Sequence, residues 1–91
     1  MDFSKLDGLI PAVVQDEQSR EVLMVGFMNE EAWRLTRESG YVTFFSRTRQ
    51  KIWMKGETSG NRLRVREVLG SLKPRDAQLL LLRASELGKL P

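Results

Sequence analysis

The residues best equipped for chemistry lie between Ser46 and Arg66, where Arg47, Arg49, Lys51, Lys55, Arg62, Arg64 and Arg66 surround one interior acid, Glu57. Arginine forks bind phosphate oxygens in pairs and hydroxyls add further donors, so Ser46-Arg47-Thr48-Arg49 reads as part of an electropositive groove for phosphate. For Arg62, Arg64 and Arg66, which alternate along a single run, a solvated strand face is the competing reading. The loop Lys55-Gly56-Glu57-Thr58-Ser59-Gly60 is the sharper signal. Its glycines permit positive φ and let backbone N–H groups approach a ligand. Thr58 and Ser59 offer hydroxyls, Lys55 a point charge, and Glu57 a carboxylate able to act as a base or to accept from a ligand. By composition alone the same loop is also an ordinary polar connection. Cysteine and histidine are absent from the chain. That excludes disulfides, thiolate or imidazole metal sites, Cys or Ser–His nucleophilic machinery and a histidine pH switch.

The elements that must position these residues can be read from local patterns. Pro11 opens a strand through Gln15, and Glu21–Met28 is a second β-rich run; the polar Asp16–Arg20 between them makes the pair an antiparallel hairpin. The second run is apolar at nearly every position, as expected of a strand covered on both faces. Gly26 within it implies a bulge or the close approach of a neighbour. Asn29 as N-cap, Glu30 and Glu31 in the first turn and Gly40 after the last predict a helix over 30–39. Its inner face carries Ala32, Leu35, Thr36 and Ser39. Tyr41–Ser46, Lys51–Lys55 and Asn61–Leu69 follow as a three-stranded meander, with Leu63, Val65 and Leu69 on one face of the last strand. After Gly70-Ser71 the character changes. Ala77–Leu87 is rich in Ala, Leu, Gln, Glu and Arg without a β-branched residue, and Pro74 and Gly88 flank it, so a helix is favoured; a strand through Leu79–Leu82 is the alternative.

The fold class that results is α+β: a small twisted antiparallel sheet of about five strands, one central helix and a helix at the C-terminal end. The 91 residues make a single domain, 1–91, with little core for its size, and a partner subunit is the stabilising device left open by the composition. The 15 Lys and Arg against 12 Asp and Glu leave a net charge of +3, a mild excess that suits an anionic ligand. No apolar run approaches the length of a membrane span, and the first residues lack the apolar core of a signal peptide, so no membrane role and a cytoplasmic setting are expected.

The run Ile52-Trp53-Met54-Lys55-Gly56-Glu57-Thr58-Ser59-Gly60-Asn61 resembles the signature of the phosphoribosyl-AMP cyclohydrolase family of histidine biosynthesis. Leu9–Asp16, Glu21–Met24, Phe27–Ala32 and Phe45–Arg49 match that family's pattern in the same order, so the resemblance covers about residues 8–69. It implies hydrolysis of the N1–C6 bond of the purine in phosphoribosyl-AMP, an intertwined homodimer, zinc at the interface and magnesium at an aspartate cluster. It also implies that Ser46, Arg47, Thr48 and Arg49 hold phosphate, and that Trp53, Lys55, Glu57, Thr58, Ser59 and Gly60 line the purine and ribose side. Glu57 and Lys55 are the catalytic candidates among them.

The same comparison exposes a departure. Where the family carries an Asp-Cys-Asp-x-Asp cluster followed by Cys-His-Thr-Gly and Ser-Cys-Phe, this chain reads Leu72-Lys73-Pro74-Arg75-Asp76, with Asp76 a possible remnant. Residues 70–91 are therefore read as a divergent or foreign segment, arising by degeneration, truncation or joining; Pro74–Ala84 is weakly similar to the opening helix of a sigma-factor DNA-binding region. No metal or other cofactor is expected in this chain, and cyclohydrolase turnover is expected to be impaired or absent. The alternative to an enzyme is a metal-free module that binds a phosphorylated purine nucleotide or another protein. Stacking of single-stranded nucleic acid on Phe44, Phe45 and Trp53 is a weaker possibility, because the family resemblance already accounts for the arginines.

Overall fold

A computed structural model describes residues 8–72 and 79–87. The described elements run β1 (Ile10–Asp16), β2 (Val22–Met28), α1 (Glu30–Ser39), β3 (Thr43–Ser46), β4 (Lys51–Met54), β5 (Leu63–Leu72) and β6 (Leu79–Glu86). They form a four-stranded sheet in the order β2-β1-β6-β5 and a separate two-stranded sheet of β3 and β4. The fold is α+β, as the sequence predicts. Among the described residues no helix is long and apolar enough to cross a membrane.

The local readings hold where the signals are local. β1 and β2 pair antiparallel from Ile10↔Met28 to Gln15↔Val22. The Asn29 side chain accepts a hydrogen bond from Ala32 N at 2.8 Å, and Gly40 at φ 79° closes the far end by donating to Thr36 O. Thr36, buried on the inner face of α1, donates its hydroxyl to Ala32 O at 2.8 Å and accepts from Thr43 N at 3.0 Å. This hydroxyl ties the helix to the first residue of β3.

Four expectations are corrected. The segment Leu79–Glu86, favoured as helix, is strand β6, inserted between β1 and β5; Ala77, Gln78 and Asp76 lie outside the described residues. Leu80, Leu82 and Ala84 are fully buried and alternate with half-buried neighbours, so the strand period of two governs there. Burying each leucine contributes roughly 2 kcal/mol, more than the few tenths by which leucine's intrinsic preference favours a helix. The sheet is also mixed, because β6 runs parallel to β1 from Ala12↔Leu80 to Asp16↔Ala84. Further, β5 is not the third strand of a meander: it pairs antiparallel with β6. Its first residues bond to the segment before β3, where Val42 N donates to Leu63 O and Val65 N to Gly40 O. Finally, β2 is an edge strand with one side open, and Val22 and Val25 are 59% and 60% exposed.

The core joins both sheets and the helix. Ile10, Ala12 and Val14 of β1 meet Leu80, Leu82 and Ala84 of β6, with Met28, Ala32, Val42, Phe44 and Leu63 closing the cluster. Phe44 is the fully buried hydrophobic residue of the β3–β4 hairpin in this core, and Phe45, Ile52 and Trp53 pack against it. The hairpin can therefore present its turn and the following loop on a fixed base.

Candidate functional site

The β3–β4 hairpin carries the site. Its ladder pairs Thr43↔Met54, Phe44↔Trp53, Phe45↔Ile52 and Ser46↔Lys51. The turn beyond it is held by its own polar side chains: Arg49 N donates to Ser46 Oγ at 3.2 Å, and Gln50 Nε2 donates to Arg47 O at 2.7 Å. Gln50 takes φ 54°, so the chain leaves the turn through a left-handed residue.

After β4 the 55–60 loop folds back on itself. Lys55 N donates to Val42 O at 3.1 Å, Glu57 N to Met54 O at 3.1 Å and Gly60 N to Gly56 O at 2.7 Å. Gly56 has φ +81°, and a Cβ there would lie 2.3 Å from the carbonyl carbon and oxygen of Asn61. Here only glycine fits. Ser59 Oγ accepts from Asn61 N at 3.2 Å, which fixes the loop's return to β5.

Turn, strand and loop enclose a cleft of about 510 Å³, lined by Ser46, Arg49, Lys51, Trp53, Met54, Lys55, Gly56, Glu57, Thr58 and Ser59. Of the residues singled out in the sequence, Ser46, Arg49, Trp53, Lys55, Glu57, Thr58 and Ser59 come together in it. Gly60 stands behind the lining as the residue that closes the loop. Arg47 and Thr48 instead line a second groove, with Leu9, Phe27, Asn29, Phe45 and Gln50. The Arg47 guanidinium stacks 5.0 Å from the centre of the Phe27 ring. The chain reverses direction through residues 47–50, so the two-residue spacing that would align Arg47 and Arg49 in a strand does not hold, and they fall on different sides of the turn. Lys51, named in the sequence only among the cations of the 46–66 stretch, and Met54, given no role there, also line the cleft. Lys51 was legible, since Lys51, Trp53 and Lys55 follow at the two-residue spacing that puts strand residues on one side.

Electrostatically the cleft sets Arg49, Lys51 and Lys55 against Glu57. Among the described residues the Glu57 carboxylate has no ion-pair partner, and its side chain is exposed. The arginines at 62, 64 and 66 stand outside the cleft. Arg62 stacks 5.3 Å from the centre of the Tyr41 ring, and Arg66 Nε lies 2.7 Å from Ser85 Oγ and 3.3 Å from Glu17 Oε2. Arg64 is exposed on the same strand and does not line the cleft.

The zinc and magnesium implied by the resemblance can be tested against the donors present. Thiolates and imidazoles, the usual zinc ligands, do not occur in the sequence. Among the described residues no three Asp or Glu side chains are grouped so as to hold an ion, and Asp76 lies outside them. These residues do not fit the zinc centre.

Comparison with known proteins gives the chain its relatives. The sequence model of phosphoribosyl-AMP cyclohydrolase matches residues 24–89. The chain is 52% identical over 88 residues to the phosphoribosyl-AMP cyclohydrolase of Geotalea uraniireducens, covering 97% of this chain and 68% of that protein. To the phosphoribosyl-AMP cyclohydrolase of Geobacter metallireducens it is 62% identical over 69 residues, 76% of this chain and 55% of the relative. To the histidine biosynthesis bifunctional protein HisIE of Bacteroides thetaiotaomicron it is 49% identical over 88 residues, 97% of this chain and 42% of the relative. The chain thus spans between 42% and 68% of the length of these three proteins. With the matching stretch extending from β2 to beyond β6 and including the whole cleft, this chain belongs to the phosphoribosyl-AMP cyclohydrolase family.

Proposed function

We propose that the cleft holds a phosphorylated purine nucleotide, phosphoribosyl-AMP being the substrate that the family name implies, and that the associated reaction is hydrolytic opening of the purine ring in histidine biosynthesis. The observation that carries this reading is the gathering of Arg49, Lys51, Lys55, three hydroxyls and the flat face of Trp53 around one volume. Arg49 and Ser46 at the turn would take phosphate oxygens, the guanidinium through its paired N–H donors and the hydroxyl through a further one. Trp53 would carry the planar ring, and Thr58, Ser59 and Gly60 the ribose side. Glu57 would accept a proton from the water attacking C6 and return it to N1 as the C6–N1 bond breaks, and Lys55 would oppose negative charge on the attacking oxygen. Arg47 and Thr48, on the other side of the turn, support it from the second groove.

Turnover by this chain is proposed to be low. Its sequence lacks the thiolate and imidazole donors for zinc, so no residue described here supplies a metal-activated water. The same fact favours a second reading, a nucleotide-binding module that does not need a metal. Residues 1–91 are read as one domain, with the 70–91 segment contributing β6 to the middle of the sheet. A homodimer is part of the proposal, supported by the small core and by exposed Val22 and Val25 on an open sheet edge. A cytoplasmic setting accords with the biosynthetic role in the relatives' names.

Calorimetry with AMP in the presence of a chelator tests the binding reading. Binding should be detectable and should fall by about 10- to 100-fold in Arg49→Ala and in Lys55→Ala, the worth of one charge-assisted hydrogen bond. Equal affinity in parent and variants would overturn it. Ultraviolet absorbance of phosphoribosyl-AMP with added zinc and magnesium separates the enzyme from the module, a flat trace at high protein concentration favouring the module.

A further inference from the structure

Trp53 is the flat wall of the cleft, and the residues behind it decide where that wall stands. Phe44 faces Trp53 directly across the β3–β4 ladder, with ring centroids 5.3 Å apart and planes inclined at 33°. Phe44 is fully buried and does not line the cleft. Its ring edge lies against β2 at Gly26: a Cβ on residue 26 would sit 2.5 Å from Phe44 Cδ1 and 2.8 Å from Cε1. Carbon atoms in contact keep about 3.5–4.0 Å, so any side chain at residue 26 forces the ring to move by on the order of 1 Å. Gly26 is not among the glycines with positive φ, and it is held in register opposite Ala12. Space, not backbone conformation, is what requires glycine there.

We infer that Gly26 and Phe44 are positioning residues for the nucleotide cleft: the bare backbone at 26 seats the Phe44 ring, and Phe44 in turn fixes the depth of Trp53 and hence the slot for a planar purine. The inference rests on reading the cleft as a nucleotide site, but its geometric part stands apart from that reading. A ring displaced from residue 26 must shift its neighbours, Trp53 among them, because the interior around Phe44 is filled by the cluster that buries it. The column therefore couples an edge strand remote from the chemistry to the width of the pocket.

The test uses the full chain carrying Trp33→Phe, a change on α1 outside the cleft that leaves Trp53 the sole tryptophan. Iodide quenching of Trp53 emission is measured without ligand, and AMP affinity by calorimetry. Gly26→Ala should change the quenching constant and weaken AMP binding on the order of tenfold at unchanged stoichiometry, the scale set by misplacing a binding group by about 1 Å. Gly26→Ala introduced into Phe44→Leu should shift both readouts far less than it does in the parent, because leucine lacks the ring edge that the methyl meets. A role in folding alone lowers the melting temperature without moving either readout in the folded protein, and that result overturns the inference. Should Gly26→Ala not fold, Phe44→Leu alone decides: unchanged quenching and affinity overturn the inference, a change in both supports it. If quenching responds while the parent binds no AMP, the positioning column stands and the nucleotide reading falls.

Discussion

Gly56 and Gly60 bracket the loop with nearly the same backbone angle, φ +81° and +83°, yet their surroundings differ. A Cβ on Gly60 would meet nothing within 4 Å, whereas on Gly56 it would lie 2.3 Å from Asn61 C and O and 2.6 Å from Arg62 N. Alanine at either position incurs the left-handed backbone cost of about 1–2 kcal/mol, partly offset by a stiffer unfolded chain worth about 0.4–1 kcal/mol. At residue 60 nothing else is added. At residue 56 the loop backbone must retreat by more than about 1 Å, and overpacking of this kind adds typically 1–3 kcal/mol. Gly60→Ala should therefore destabilise by about 1 kcal/mol and Gly56→Ala by about 2–4 kcal/mol. The unfolded-state contribution is common to both and cancels in their difference. Urea melts read the stability difference as a shift in midpoint at constant slope, and AMP calorimetry on the folded fractions reads the cleft. Gly56→Ala should also weaken AMP, because Lys55, Glu57, Thr58 and Ser59 ride on the displaced backbone. If the two variants prove equally stable and bind AMP equally, the account of this loop as shaped by the Gly56–Asn61 contact is refuted.

Three further outcomes follow from the packing. Thr36→Val keeps the shape of the side chain but removes the hydroxyl that accepts from Thr43 N, leaving a buried N–H unpaired; a loss of about 1–3 kcal/mol should appear in chemical denaturation. Leu82→Ala opens a cavity in the central strand and should cost about 2–5 kcal/mol, with strand content by circular dichroism unchanged in whatever remains folded. Asn29→Ala removes the cap of α1 and should cost about 0.5–2 kcal/mol in thermal melts, while Asn29→Asp should hold most of it.

How much of this protein could be read from its sequence depends on the reach of each signal. The helix over 30–39 was legible because its cap, first-turn acids and closing glycine act on backbone groups within a turn, and the structure shows Asn29 and Gly40 in those roles. The β1–β2 hairpin and the polar loop after β4 were legible for the same reason. Gly26 was recognisable as a point of close approach, but only the folded chain names Phe44 as the neighbour. The family, too, was legible, through the resemblance of the Ile52–Asn61 run and of the motifs before it to a known signature.

What the sequence by itself determined, then, is the set of local elements and the residue types able to meet an anionic, planar ligand. The tertiary structure alone decided that Leu79–Glu86 is a strand, because four consecutive leucines satisfy either period until a slot between β1 and β5 rewards alternate burial. It decided that β5 turns to β6 and not to β4, and that Arg49 and Arg47 part company across the hairpin turn. The physical reason is common to all three. Local hydrogen bonds are specified by neighbours in the chain, whereas strand partners and the sides of a cleft are settled by which distant surfaces exclude water together.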